Sequence, residues 1–246
     1  MKKKFAFLLL LCTFATNSFA QLYTGMNGLI HVPSAEMDTI ETLRFGVHAL
    51  PKDMMPNHMI FEGEKYNSSN WYISATPLKW VEVGYSFTLM KFRKNLNKNS
   101  DEIGFYSKDR YFSLRFRPLC ESRYLPSLVV GGNDVLGQRD GDSKSFYFRN
   151  FYVAASKHFQ CSLGEIGTHL AYRIFTKSYN SRWNGAVGGI TFRPAIYSPL
   201  RIISEFDGNG VNIGTDCVLF RYVQLQASLI KGRYPSVGGA LRIELR

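Results

Sequence analysis

Past its first twenty residues, the chain has no apolar run that could cross a membrane as a helix, which takes about 20 apolar residues. Cysteine is scarce, four in 246 residues, and one of these, Cys12, lies in the first twenty. The other three, Cys120, Cys161 and Cys217, are odd in number and widely spaced. They form no disulfide framework and no zinc spacing. At most one pair can join, and small, half-buried thiols are the expectation. Histidine occurs only at 31, 48, 58, 158 and 169, without a His-Glu-x-x-His or other metal spacing. No metal and no cofactor is therefore expected. Acidic residues are also few, 19 against 30 Lys and Arg. The surplus of positive charge suits nucleic acid, lipid headgroups or an acidic polymer as partner.

What is present starts with a leader. Residues 1–20 have a basic Met1-Lys2-Lys3-Lys4, an apolar "FAFLLLLCTFAT" and small residues Ser18 and Ala20 before Gln21. That is the layout of a secretory signal cleaved before Gln21. Leu11 is too bulky to precede a lipidated Cys12. Without the three leader lysines, the formal charge of +11 becomes +8. Export argues against nucleic acid. The remainder divides into a lead-in, 21–40, and one domain, 41–246.

That domain has a period of two. In "YFSLRFR", Phe112, Leu114 and Phe116 alternate with Ser113, Arg115 and Arg117. "VEVGYSFTL", "VQLQASL" and "VGGALRIEL" behave likewise. Such segments are strands with one apolar and one polar face. About twelve centre near Phe45, Ile73, Val83, Leu114, Val129, Phe151, Leu170, Ile190, Ile203, Ile213, Leu225 and Leu241. Long and short connections alternate through the first two-thirds of the chain. Up-and-down outer-membrane barrels have this rhythm, whereas a soluble sandwich has no cause to keep it. An exported chain with apolar-out strands and no spanning helix can close its backbone hydrogen bonds in lipid only as a barrel. The predicted fold is thus all-β, an antiparallel up-and-down transmembrane β-barrel of about twelve strands. A soluble lipid-binding barrel or sandwich is the alternative.

The polar faces give the candidate lumen residues: Arg44, Glu82, Arg115, Arg117, Arg173, Arg201, Glu205 and Arg242, with Glu244 beside them. They form either a salt-bridge network that fills the lumen or a basic cradle for an anionic polysaccharide, since Arg's fork of donors fits carboxylates. Lys91, Arg93, Lys94 and Lys98 form a basic loop, solvated or in contact with anionic headgroups. Trp71, Trp80 and Trp183 near strand ends suggest interfacial girdles. Residues 22–40 do not alternate clearly; they either lead in from the periplasm or fold into the lumen. "DGNG" at 207–210 lies between two strands and reads as a hairpin tip rather than a calcium or phosphate loop. Ser156 and His158 share a strand face, with His169 on the next strand. A Ser–His pair there would be the one hint of a lipid hydrolase or acyltransferase; no catalytic residue is otherwise expected.

Taken in order, several stretches resemble the YjbH-like family of outer-membrane proteins linked to exopolysaccharide and capsule production. They are "GLIHVPSAEMDTIETLRFGV", "TPLKWVEVGYSFT", "RYFSLRF…SRYLPSLVVGGNDVLG", "FRNFYVAASKHF" and "SEFDGNGVNIG". The resemblance implies a barrel in the outer membrane of a Gram-negative bacterium, serving secretion or assembly of an extracellular polysaccharide. It supplies no catalytic residues. The expected partners are outer-membrane lipid and an anionic polysaccharide; the alternative reading, a structural scaffold in the outer membrane, would take periplasmic or lipoprotein export components.

Overall fold

The computed structural model describes residues 21–60, 63–93, 102–136 and 147–245. The leader, Lys94 and Lys98, and the Arg93 side chain lie outside what is described. Twelve strands form: β1 Thr42–Leu50, β2 Ser68–Leu78, β3 Val81–Arg93, β4 Ile103–Leu119, β5 Ser127–Asn133, β6 Asn150–Cys161, β7 Gly164–Phe175, β8 Gly185–Pro194, β9 Leu200–Phe206, β10 Val211–Leu219, β11 Val223–Ile230 and β12 Tyr234–Glu244. Each predicted centre falls inside one of them. Every strand pairs antiparallel with its sequence neighbours, and β1 pairs with β12, so the sheet closes into a barrel without a free edge.

The alternation explains the closure. Along β4, Phe112, Leu114 and Phe116 are exposed, while Tyr111, Ser113 and Arg115 are buried. The same inversion recurs on β12, where Val237, Leu241 and Ile243 face out and Arg242 faces in. A water-soluble barrel would place its apolar side chains inside. Here the apolar faces form a belt around the outside, which is stable only against hydrocarbon. No helix among the described residues is long and apolar enough to span a membrane, which says nothing against crossing by strands.

The two ends differ. Residues 79–80, 120–126, 162–163, 195–199 and 220–222 make short turns at the end that also carries both ends of the barrel sheet. The other end carries the long connections. One of these contains 3-10 turns at Lys52–Met54 and Asn57–Met59, and another the turn Ser178–Trp183. Met54, Met55 and Met59 are buried there with Tyr147, Phe148 and Leu22, so the long-loop mouth is capped by an apolar cluster.

Candidate functional site

The lumen contains the protein's own N-terminal segment. Every residue from 21 to 38 is buried, although the segment belongs to no strand of the barrel. Its first residues lie beside β2 and β3, where the Tyr23 and Thr24 carbonyls meet Asn70 and Ser86. It passes Glu82 at Asn27, turns tightly at 29–32, where the Leu29 N–H donates to the Val32 carbonyl at 2.9 Å, and returns past Ser156 of β6 toward the short-turn mouth. A segment surrounded on all sides by barrel wall has no single apolar face, which is why it lacks a period.

The wall grips this plug through its buried charges. Glu205 on β9 accepts three successive plug N–H groups, from Ile30 at 3.0 Å, His31 at 2.8 Å and Val32 at 3.1 Å. Asn212 on β10 adds a fourth hydrogen bond at 2.7 Å. Successive amides converging on one carboxylate form an anion nest. Arg115 on β4 pairs with Glu82 on β3 at 2.9 Å and donates to the plug carbonyls of Asn27, Ser34 and Glu36. Glu82 in turn accepts the Asn27 N–H at 2.9 Å. Arg44 on β1 binds Asp38 and Asn27, and Arg242 on β12 binds Glu244 at 2.7 Å and Thr39 at 3.2 Å. Arg201 on β9 bridges Glu36 of the plug and Asp216 of β10, at 3.0 and 3.1 Å. Arg173 on β7 donates to the carbonyls of His31, Asp207 and Trp183. The wall's hydroxyls and amides complete the grip: Asn70, Ser74 and Ser86 donate to the carbonyls of Tyr23, Gly25 and Thr24.

Five arginines lie fully buried here. They face at least six buried carboxylates: Glu36, Asp38, Glu82, Glu205, Asp207 and Asp216. The lumen network is therefore roughly charge-balanced, as burial demands. Among the described residues, Lys52, Lys65, Lys79, Arg123, Lys177 and Lys231 lie in the connections between strands.

Several expectations need correcting. Arg117 is half-buried at the short-turn rim, where its guanidinium donates to the Lys79 carbonyl; the register points it inward, but there the lumen has already opened. Trp183 is buried, edge-on to His31 with ring centroids 5.0 Å apart and under the Arg182 guanidinium, so it caps the lumen rather than joining a girdle. Trp71 and Trp80 are exposed as a girdle requires. Cys120 and Cys161 are exposed free thiols, and only Cys217 is half-buried. Phe220 and Arg221 both adopt positive φ, 53° and 69°, in a turn where Asn and Gly would be the expected residues.

The hairpin at 207–210 forms as expected, with Gly208 at φ +90° and the Asp207 N–H bonded to the Gly210 carbonyl at 3.1 Å. Asp207 does more than turn the chain. One carboxylate oxygen accepts the N–H groups of Asn209 and Gly210, and the other meets His31 Nδ1 of the plug at 2.7 Å. Burial pushes this carboxyl up, but His31, the Asn209 N–H and Arg173 outweigh it and hold it well below the usual range. A depressed carboxylate contributes stability that is complete above its unfolded pKa of about 3.9 and is lost as pH falls through the folded value. Thermal midpoints of Asp207→Ala and the parent should thus differ fully from pH 7 to about 5. The gap should narrow only below about pH 4. A gap already closing at pH 6 would deny the clasp.

Ser156 on β6 does meet His169 on β7, Oγ to Nδ1 at 2.8 Å. His169 Nε2 lies 3.1 Å from the Thr191 hydroxyl, and Ser156 Oγ also accepts the Ala35 N–H of the plug at 2.8 Å. Next to them at the short-turn mouth is a cavity of about 460 Å³ lined by Glu36, Arg117, Glu121, Ser156 and His158. Glu121 accepts both the N–H and Nδ1–H of His158, at 2.9 and 2.6 Å. Burial raises the Glu121 carboxyl, but these bonds prevail and lower it.

A comparison with curated protein sequences finds no match. Among solved structures, the chain is similar to the Salmonella typhi outer membrane phospholipase dimer with bound calcium. The identity is 11% over 81% of this chain and 89% of that one, with a TM-score of 0.37. The Escherichia coli outer membrane phospholipase A gives 10% over 83% and 97%, with a TM-score of 0.35. The family model described as exopolysaccharide biosynthesis protein YbjH matches residues 20–246, plug and barrel together. The chain belongs to this YjbH family.

Proposed function

We propose that the protein is exported, begins at Gln21, and serves extracellular polysaccharide production from the outer membrane as a plugged barrel without enzymatic activity. The plug supports this reading most directly: the lumen arginines are engaged by carboxylates and by plug carbonyls, so among the described residues no free basic conduit runs through the resting barrel. The basic residues in the connections between strands are where an acidic glycan, capsular or free, would be met, by weak contacts repeated along the polymer. Partner lipoproteins or periplasmic export components would then use the barrel as an anchorage. Passage of a polymer through the lumen would need the plug to leave first.

Deletion of the gene, with measurement of surface polysaccharide, tests the role. The expected result is a loss or shortening of the polysaccharide, restored by the wild-type gene. Unchanged polysaccharide would sink the proposal. The second reading, a lipid hydrolase, has the 2.8 Å Ser156–His169 contact in its favour. Against it, Ser156 is buried in the lumen and already bonded to the plug. Unchanged polysaccharide with altered phospholipid or lipid A acylation would favour that reading.

A further inference from the structure

Near the short-turn mouth, three side chains from distant parts of the chain converge. Glu36 comes from the plug, His158 from β6 and His169 from β7, and one ligand atom from each lies within 4.8 Å of the others. His158 Nε2 is 3.2 Å from Glu36 Oε1. Two ligands of a tetrahedral zinc ion, each roughly 2.0–2.1 Å from the metal, stand about 3.3 Å apart. The first two donors are thus already at ligand separation, and a ring rotation would bring in the third. We propose that Glu36, His158 and His169 form a site for a zinc-like divalent cation that clips the plug to the barrel wall.

The surroundings fit. Glu121 holds His158 by Nδ1 at 2.6 Å, which leaves Nε2 facing Glu36. A carboxylate behind a histidine fixes the ring and its tautomer in many metal sites. His169 has a hydroxyl on each ring nitrogen, Ser156 at 2.8 Å and Thr191 at 3.1 Å. Either nitrogen can turn to a metal while the other keeps its hydroxyl. The mouth cavity borders Glu36 and His158, so water has a route to a fourth coordination position. Arg201 competes for Glu36, donating to Oε1 at 3.1 Å and Oε2 at 3.0 Å, and Ser34 donates to Oε2 at 3.1 Å. Arg201 is also neutralised by Asp216, and each carboxylate oxygen has a second lone pair. Two imidazoles and one carboxylate suit zinc, whereas magnesium or calcium would demand oxygen donors throughout.

This site is independent of the polysaccharide reading, because its ligands are wall and plug residues whatever the barrel serves. The test uses the full folded chain with Cys120→Ser, Cys161→Ser and Cys217→Ser, so that surface thiols bind nothing. Zinc is added alone, excess is removed with a weak chelator, and retained metal is measured. About one zinc per chain is expected, with affinity lowered at least 100-fold by His158→Ala or Glu36→Gln and about 10-fold by Glu121→Gln. Cobalt in place of zinc should give visible absorption of a low-coordinate nitrogen–oxygen site, lost with His169→Ala. Heat-modifiable gel mobility checks that each variant folds. Parent protein that retains no zinc, or zinc that survives His158→Ala combined with His169→Ala, would overturn the proposal.

Discussion

Glu205→Ala should release the plug and turn a nearly silent barrel into a conducting one. The carboxylate collects the N–H groups of Ile30, His31 and Val32 and the Asn212 side chain. Alanine leaves all of these buried and without that acceptor. Each unmade buried hydrogen bond costs about 1–3 kcal/mol. Three amides together give roughly 3–6 kcal/mol, allowing for partial relaxation. That is comparable to the whole net stability of many domains, and it exceeds what the remaining wall contacts of the turn, Asp207 and Arg173 on His31, should hold, so the turn should detach. The barrel itself should survive, since its ladder does not run through the plug. Planar-bilayer conductance reads the effect directly. A Ser34→Cys reporter, in a background without the native cysteines, should be protected in the parent and labelled by an impermeant maleimide in Glu205→Ala. Glu205→Gln keeps one carbonyl oxygen and should lie between the two. A closed, unlabelled Glu205→Ala barrel would mean that the turn is held by other contacts.

The barrel was legible in the sequence because lipid outside and polar contacts inside give each strand a strict period of two. Phe112-Ser113-Leu114-Arg115-Phe116 reads as a wall strand from its alternation alone. The even strand number and the long–short rhythm followed from the same physics. The lumen residues Arg44, Glu82, Arg115, Arg173, Arg201, Glu205 and Arg242 were found by that period as well, and all are buried. Their partners were not legible. Gly28 to Asp38 touches wall on every side, so no periodicity marks it. Glu36 lies 122 residues from His158 and 165 from Arg201, and no local spacing can join them. Arg117 shows the period's limit: it fixes a side of the sheet, not a depth in the lumen. Trp183 shows another, since a tryptophan near a strand end can equally roof a mouth. The Ser156–His169 contact was predictable because it needs only adjacent strands and the right face.

Arg115 and Glu82 should give a strongly sub-additive pair. Arg115→Met alone leaves the Glu82 carboxyl buried with one backbone donor, Asn27, from the plug. Breaking a buried ion pair from one side costs about 3–5 kcal/mol, because the remaining charge has lost its partner. Glu82→Gln alone leaves the guanidinium with carbonyls only. The double variant removes both charges and keeps a Gln oxygen for the Asn27 N–H. Its remaining defect is the set of plug carbonyls, Asn27, Ser34 and Glu36, that Arg115 had served. Unfolding in urea, followed by gel mobility in lipid or detergent, should therefore show the double variant less destabilised than the sum of the singles by about 1–3 kcal/mol. Strict additivity would show that the two charges act separately. The cycle also separates two roles of one side chain. Whatever the double variant recovers belongs to the ion pair across β3 and β4, and whatever stays lost belongs to the grip on the plug. If Ser34→Cys remains labelled in the double variant while the barrel is as stable as the parent, Arg115 serves the plug first and the wall second.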